Sequence, residues 1–345
     1  MTREQTGERV EALWYVGPGR VEIRAERIAA PAPGEVRVRA LHSAISRGTE
    51  RLVAAGAIPE SEFTTMRAPF MSGEFPFPVK YGYAVVGRIE GGAPDLEDRL
   101  VFSLHPHQSV FLVQRDAVHL LPAAVPPRRA VLAANMETAL NAVWDAAPGP
   151  ADRIAIVGAG VVGALVARLC AALPGAQVTL VDVVAHRESL ADRLGVGFAL
   201  PQSAPRDCDV VFHASGSAQG LATALSLAGD EALVLELSWF GSHSVAVPLG
   251  AAFHSRRLRL VASQVGRVSP SRRSRWAARR RLDAALALLA DPACDALIEP
   301  AIAWHQLPAR LPDILGPVGG VLCQVIDYPA APFPRIATDH TSDRA

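Results

Sequence analysis

The sequence predicts an α/β chain in which an antiparallel, partly barrel-like β domain precedes a doubly wound parallel domain, with a last segment returning to the first. Three observations carry this expectation. Residues 9–122 contain short stretches of alternating polar and apolar residues broken by Gly and Pro, the pattern of half-buried strands. From Arg153 onward, apolar strand-like runs alternate with helical text, as a parallel sheet covered on both faces requires. After an arginine-rich helical stretch, VLCQVIDYP has strand character again. The expected limits are 1–126, 127–296 and 297–345, the last including a C-terminal tail over the final dozen residues.

In chain order, VEIRAERI, GEVRVRALHS, AVVGRIEG, DRLVFSL and SVFLVQ read as strands of the first domain. Residues 55–80 hold several prolines and read as an irregular loop. Apolar residues at helical spacing mark 126–147 as a helix. RIAIVGAG, QVTLVDV, DVVFHASG, EALVLELSW and LRLVASQVG read as the parallel strands. VVGALVARLCAAL, RESLADRLGV and RSRWAARRRLDAALALLADP read as helices.

Composition excludes several classes. Among 345 residues, 34 basic and 34 acidic side chains give a formal net charge of +0, where a nucleic-acid binder carries a basic excess. No apolar run approaches the roughly 18 residues that span a bilayer, and the charged N-terminal stretch lacks the apolar core of a secretory signal. The expectation is a cytoplasmic protein acting on a small-molecule substrate. Cys170, Cys208, Cys294 and Cys323 match no metal or disulfide spacing. Lys80 is the only lysine and is followed by Tyr81, so the Gly-Lys-Ser/Thr of a P-loop is missing. Pro76 stands four residues before Lys80, which removes a Tyr-x-x-x-Lys pair.

The strongest motif is Gly158-Ala159-Gly160-Val161-Val162-Gly163, directly after the apolar strand IAIV and opening a helix. That order is the dinucleotide fingerprint of a Rossmann domain. Gly158 would make the turn, Gly160 would let the backbone approach a pyrophosphate, and Gly163 would let helix and strand pack closely. The first helical amides, at Val161 and Val162, offer N–H groups and a positive partial charge to phosphate. Asp182 ends the next strand, 19 residues after Gly163. A carboxylate there binds ribose hydroxyls and repels a 2′-phosphate, favouring NAD(H) over NADP(H), with Arg187 close enough to temper the choice. Ser215 and Ser238 follow later strands at the same carboxyl edge, as cofactor contacts or as plain loop residues.

Four segments, Arg47-Gly48-Thr49-Glu50, Gly82-Tyr83-Ala84-Val85-Val86-Gly87, Asp98-Arg99-Leu100-Val101 and the GAGVVG…VD pair, resemble the medium-chain dehydrogenase/reductase superfamily over nearly the whole chain. The resemblance implies a GroES-like first domain around the Rossmann domain, hydride transfer, and a homodimer paired through the Rossmann edge strand. Zinc-dependent members read Cys-Gly-Thr-Asp and Gly-His-Glu-x-x-Gly at the first two segments. Here Arg47 replaces the cysteine, Tyr83 the histidine and Ala84 the glutamate, and no Cys or His stands near Ala134–Glu137 for a third ligand. Catalytic zinc needs about three protein ligands, so no zinc is expected. ISRGTERL with a Gly-Tyr pair resembles a narrower zinc-lacking branch that includes a bacteriochlorophyllide dehydrogenase.

Without a metal, another group must manage the alcohol proton. Tyr83 is a proton donor or fills the vacated site. Arg47 supplies a fixed charge or pairs with Glu50. The resemblance makes Thr49 a proton relay. His107, in His105-Pro106-His107 and on the same domain as His42, is a candidate acid–base. The arginines at 272, 273, 275 and 279–281 form an anion site or a solvated helix face. The leading reading is a zinc-independent alcohol or carbonyl dehydrogenase using NAD(H). The alternatives are an NADPH-type quinone or enoyl reductase, which Asp182 opposes, and a non-catalytic NAD-binding sensor.

Overall fold

The computed structural model describes residues 7–316 and 320–329; the tail expected over the final dozen residues lies outside them. The first domain holds β1 (Glu8–Gly17), β2 (Arg20–Ile28), β3 (Glu35–Ala44), α1 (Arg47–Ala55), β4 (Ser72–Gly73), β5 (Val79–Lys80), β6 (Val85–Ile89), β7 (Leu100–Ser103), β8 (Val110–Gln114) and β9 (Val118–Leu120). Then come α2 (Pro127–Ala130), α3 (Ala133–Ala146), β10 (Arg153–Val157), α4 (Val161–Ala171), β11 (Gln177–Val181), α5 (Glu188–Leu194), β12 (Gly197–Ala199), β13 (Cys208–His213), α6 (Ala218–Leu227), β14 (Ala228–Glu236), β15 (Arg259–Ala262) and α7 (Ala278–Leu288). The chain closes with β16 (Ile302–Ala303), α8 (Leu307–Leu315) and β17 (Val325–Asp327).

Alternation sets the faces of the β domain. In β3, Val36, Val38 and Ala40 enter the core, while Arg37 and Arg39 on the other face share Glu90 at 2.5 and 2.6 Å. Residues 55–80, expected as loop, contribute β4 and β5 to the sheet β2-β1-β5-β4 and bury Met71, Phe75 and Val79. Their prolines hid the pairing, because an X-Pro-rich run reads as a break. Lys80, in β5, is 7% exposed and donates to Glu26 (2.8 Å) and Gln108 (2.9 Å). β17 pairs antiparallel with β3 and parallel with β16, so the last segment rejoins the first domain's sheet. Leu307, Leu311 and Ile314 of α8 reach the same core at helical spacing.

The second domain is a six-stranded sheet, β12-β11-β10-β13-β14-β15, parallel throughout. β10 shows why its strands read as continuous apolar runs. Ile154 and Ile156 face one core, Ala155 and Val157 the other, as expected when helices cover both faces. All four cysteines are buried and free.

The arginine run divides. Helix α7 begins only at Ala278. Arg281 turns inward, donating to Glu137 (3.0 Å) and Asn141 (2.5 Å) of α3. Arg279 donates to the carbonyls of Asp116 and Val118. Arg272 and Arg280 lie over the rings of Trp144 and Trp276, while Arg273 is exposed. Removing one partner of a buried ion pair strands the other charge, at a cost of about 3–5 kcal/mol. Arg281→Ala should therefore lose about 3 kcal/mol in urea unfolding, whereas Arg273→Ala should stay within about 0.5 kcal/mol of the parent. Equal losses would place the anchor elsewhere.

Candidate active site

The strand order puts the crossover reversal between β10 and β13, and ligands of open α/β sheets bind outside the carboxyl ends at that point. Gly158 ends β10 with φ +112°, and a Cβ there would lie 2.6 Å from the Ser215 backbone nitrogen. A Cβ on Gly160 would meet nothing within 4 Å, so the chain leaves open room at the start of α4. A Cβ on Gly163 would collide with the Gly158 carbonyl. The three glycines thus have three different physical reasons. Gly160 caps α4 without a side-chain hydrogen bond, leaving the first-turn amides at Val161 and Val162 open to an anion. Asp182 accepts from Ala159 N–H (2.6 Å) and Val184 N–H (2.9 Å), which holds its carboxylate beside the glycine turn. This cradle suits a dinucleotide. Arg187 donates to the Gly320 carbonyl at 2.7 Å.

Helix α1 overhangs this edge. The exposed Arg51 brings Nη2 to 3.9 Å from where a Gly216 Cβ would stand. Beyond α1, Ser242 N–H donates to the Ala57 carbonyl (2.9 Å), and Trp239 packs against the β-domain core, closing one side of the cleft.

At the start of α1, four neutral polar groups converge. Tyr83 Oη donates to Ser46 Oγ (2.5 Å) and also hydrogen-bonds Thr49. Asn135 Nδ2 of α3 donates to Ser46 Oγ at 3.5 Å. Tyr83 packs against both the β-domain core and the core shared with α3. Burial pushes its phenol up to about 12, moderated by the Ser46 and Thr49 hydroxyls. Tyr83 is therefore a neutral donor at ordinary pH.

Beneath this group runs a buried chain of hydrogen bonds. Glu50, with no exposed surface, accepts from Tyr15 O–H (2.6 Å), Ser46 N–H (2.7 Å) and His107 Nε2 (3.0 Å). The other ring nitrogen, Nδ1, lies 2.9 Å from Ser43 Oγ, which in turn lies 3.1 Å from Tyr328 Oη. A Cβ on Gly82 (φ +120°) would stand 2.6 Å from His107 Cδ2, so only glycine lets the ring lie under the turn that presents Tyr83.

Three of the expected catalytic residues are thus placed differently from the reading of the sequence. His107 has both ring nitrogens occupied inside the fold and none to offer a substrate. Glu50 is the hub of that network and is not paired with Arg47. The Arg47 guanidinium donates to the carbonyls of Ile314 and Gly316 at the end of α8, where the negative end of a helix attracts a cation. His105 is also no proton carrier, because burial lowers it to about 3, stacked 3.8 Å from Phe111. Tyr83 and Thr49 do meet, and so do the glycine turn and Asp182. Ser215 and Ser238 lie at the ends of β13 and β14.

No family model matches the chain. A 2-dehydro-3-deoxy-L-galactonate 5-dehydrogenase of Pseudoalteromonas atlantica is 26% identical over 170 residues, 46% of this chain and 49% of that relative. The match therefore spans about half of the relative's length. The L-idonate 5-dehydrogenase of Escherichia coli superposes with a TM-score of 0.75 at 15% identity, covering 92% of this chain and 98% of that one. A Sinorhizobium meliloti protein described as a zinc-binding dehydrogenase, solved with NADP, gives 0.73 at 19% identity, covering 93% and 99%. The chain has the fold of these dehydrogenases.

Sequence reading missed Ser46, Asn135, Arg51, His213 and Glu236. The last two had a signal: each is an ionisable residue at the end of an otherwise apolar parallel strand, where burial must be answered by a partner.

All four tyrosines, Tyr15, Tyr81, Tyr83 and Tyr328, are raised above the usual phenol range by burial. The unfolded chain releases these protons near pH 10, and the folded chain holds them longer. Their stabilising contribution is therefore complete below pH 10 and lost as pH rises through about 12 for Tyr83. Absorbance at 295 nm should show almost no phenolate at pH 10 in the native protein, and about nine-tenths ionisation in denaturant at pH 11. Native-state ionisation near pH 10 would contradict the buried placement.

Proposed function

We propose that this protein is a medium-chain dehydrogenase that transfers a hydride between NAD(H) and the alcohol or carbonyl carbon of a small molecule, with Tyr83 in place of a metal. The convergence of Tyr83, Ser46, Thr49 and Asn135 beneath α1, beside the dinucleotide edge, carries this reading. Similarity in fold to named dehydrogenases supports it, as does the weaker sequence match.

With the dinucleotide's pyrophosphate at the glycine turn, its nicotinamide would supply or accept the hydride. The chain's own part is the proton. A carbonyl oxygen taking the place of Ser46 as acceptor of the Tyr83 hydroxyl would draw that proton as negative charge develops on it. The resulting phenolate would rest between the Ser46 and Thr49 hydroxyls, which already favour the ionised form. Through the same hydroxyls the phenol would be restored. Arg51, free of any acidic partner among the described residues, suits the cofactor phosphates from the opposite side of the cleft.

The donor set does not suit zinc. The matching positions hold an arginine committed to backbone carbonyls and a neutral phenol, and the other groups are neutral hydroxyls and an amide rather than thiolate or imidazole. Asp182, held beside the turn, favours NAD(H) over NADP(H).

Tyr83→Phe in chelator-treated protein should cut kcat by about 10²–10³ and leave NADH affinity nearly unchanged. A carbonyl panel with NADH provides the surrogate substrate, and near-full activity of the variant would refute the assignment. Separately, the parent should bind NADH at least about tenfold more tightly than NADPH, ~1.4 kcal/mol. Asp182→Ala should erase most of that margin. Equal parent affinities would mean that another group governs the ribose pocket.

A further inference from the structure

The loop between α1 and β4 displays a ring that neither the glycine cradle nor the Tyr83 cluster includes. Phe70 is 42% exposed and takes φ +57°, left-handed backbone that a bulky side chain avoids. Arg67 holds it there: its guanidinium donates to the carbonyls of Met71 (3.2 Å) and Gly73 (3.1 Å), closing the loop around Phe70. Met71, the next residue, is buried. The loop thus accepts backbone strain to turn one aromatic ring outward while its neighbour fills the core. Strain of this kind collects where ligands bind.

Behind Phe70 stand two more rings. His105 lies 5.5 Å from it at 28° and 3.8 Å from Phe111 of β8 at 11°, so Phe111 covers one face of the imidazole and Phe70 overlaps the other only in part. The Pro106 carbonyl, 2.9 Å from Nδ1, can only accept, so Nδ1 carries a ring proton. Burial keeps the ring neutral, lowering it to about 3, which leaves Nε2 as a lone pair. Among the described residues every fully buried side-chain nitrogen and oxygen has a partner. Nε2 has none, so it opens on the 5% of His105 that is exposed. A donor meets a ring nitrogen in the plane of the imidazole, and a flat group lying in that plane is nearly parallel to Phe70 as well. An aromatic ring with an N–H or O–H at its edge satisfies both; an anion, which only accepts, satisfies neither. Leu104, the preceding residue, packs with Tyr83 against the core shared with α3, and His107, two residues on, lies under the turn that presents Tyr83.

We propose that Phe70 and His105 bind a flat aromatic group carrying an N–H or O–H donor, Phe70 by stacking and Nε2 by accepting. As part of the substrate, this group rests on the dehydrogenase reading above and sets its class. The substrate is an aromatic alcohol or carbonyl compound with a donor on its ring system, apart from the reacting carbon.

Indole and 1-methylindole are suitable probes, since they share a ring system and differ at the N–H. In ligand-observed NMR titrations the parent should bind indole about fivefold more tightly than 1-methylindole. His105→Phe keeps a ring between Phe70 and Phe111 but removes the acceptor, so it should erase that difference by weakening indole alone. Phe70→Ala should weaken both probes about fivefold and keep the difference between them. Because Phe70 is exposed, its variant keeps the test valid if His105→Phe fails to fold. Equal parent affinities, a difference that persists in His105→Phe, or undiminished binding to Phe70→Ala overturns the subsite. The expected indole pattern in a protein that reduces no carbonyl with NADH would uphold the subsite and overturn the hydride-transfer reading.

Discussion

Glu50 is a carboxylate without solvent, and burying such a charge unpaired costs several kcal/mol. Three donors meet it, from β1, from the turn before α1 and from the segment between β7 and β8. Each therefore has one permitted distance from the others. The Ser46 amide is held by Glu50 while its hydroxyl accepts the Tyr83 hydrogen bond, so one residue joins this framework to the proposed proton donor. Strands β3 and β17 join the arrangement through Ser43 and Tyr328. The C-terminal return thus has a reason beyond sheet edge pairing: it completes the polar chain beneath the site.

The parallel domain meets this framework through α1 and α3. Asn135 of α3 approaches Ser46, and Arg51 of α1 approaches Gly216. A polar cluster on one domain and the glycine turn on the other are held in register by two helices. The loop after β14, which touches Ala57, adds a third contact.

The parallel sheet was legible because every core strand is an apolar run followed by a glycine or a small polar turn. The glycine motif could be given physical roles residue by residue, and the geometry around Gly158, Gly160 and Gly163 agrees with them. Short elements were not legible. β4 and β5 span two residues each and β12 three, too few for a period to show. Among the site residues, Tyr83 was found as a replacement and Thr49 as a match at positions of a resembled motif. Glu50 and Arg47 came from the same motif and His107 from His105-Pro106-His107, but adjacency along the chain says nothing about partners from β1 or α8. His107 is 57 residues from Glu50, and Arg47 is 267 from Ile314. Such pairings come from tertiary packing, which no local pattern encodes.

Lys80, the only lysine, is buried against Glu26 and Gln108. The exposed positive charge of the described residues is therefore guanidinium apart from the histidines, and guanidinium does not lose its proton in the accessible range. The cysteine thiols are pushed up by burial, to about 11 or 12, and the phenols are raised as well. Among the described residues, these thiols and phenols stay protonated until strong alkali. Amine-directed reagents will find almost no lysine surface to couple to.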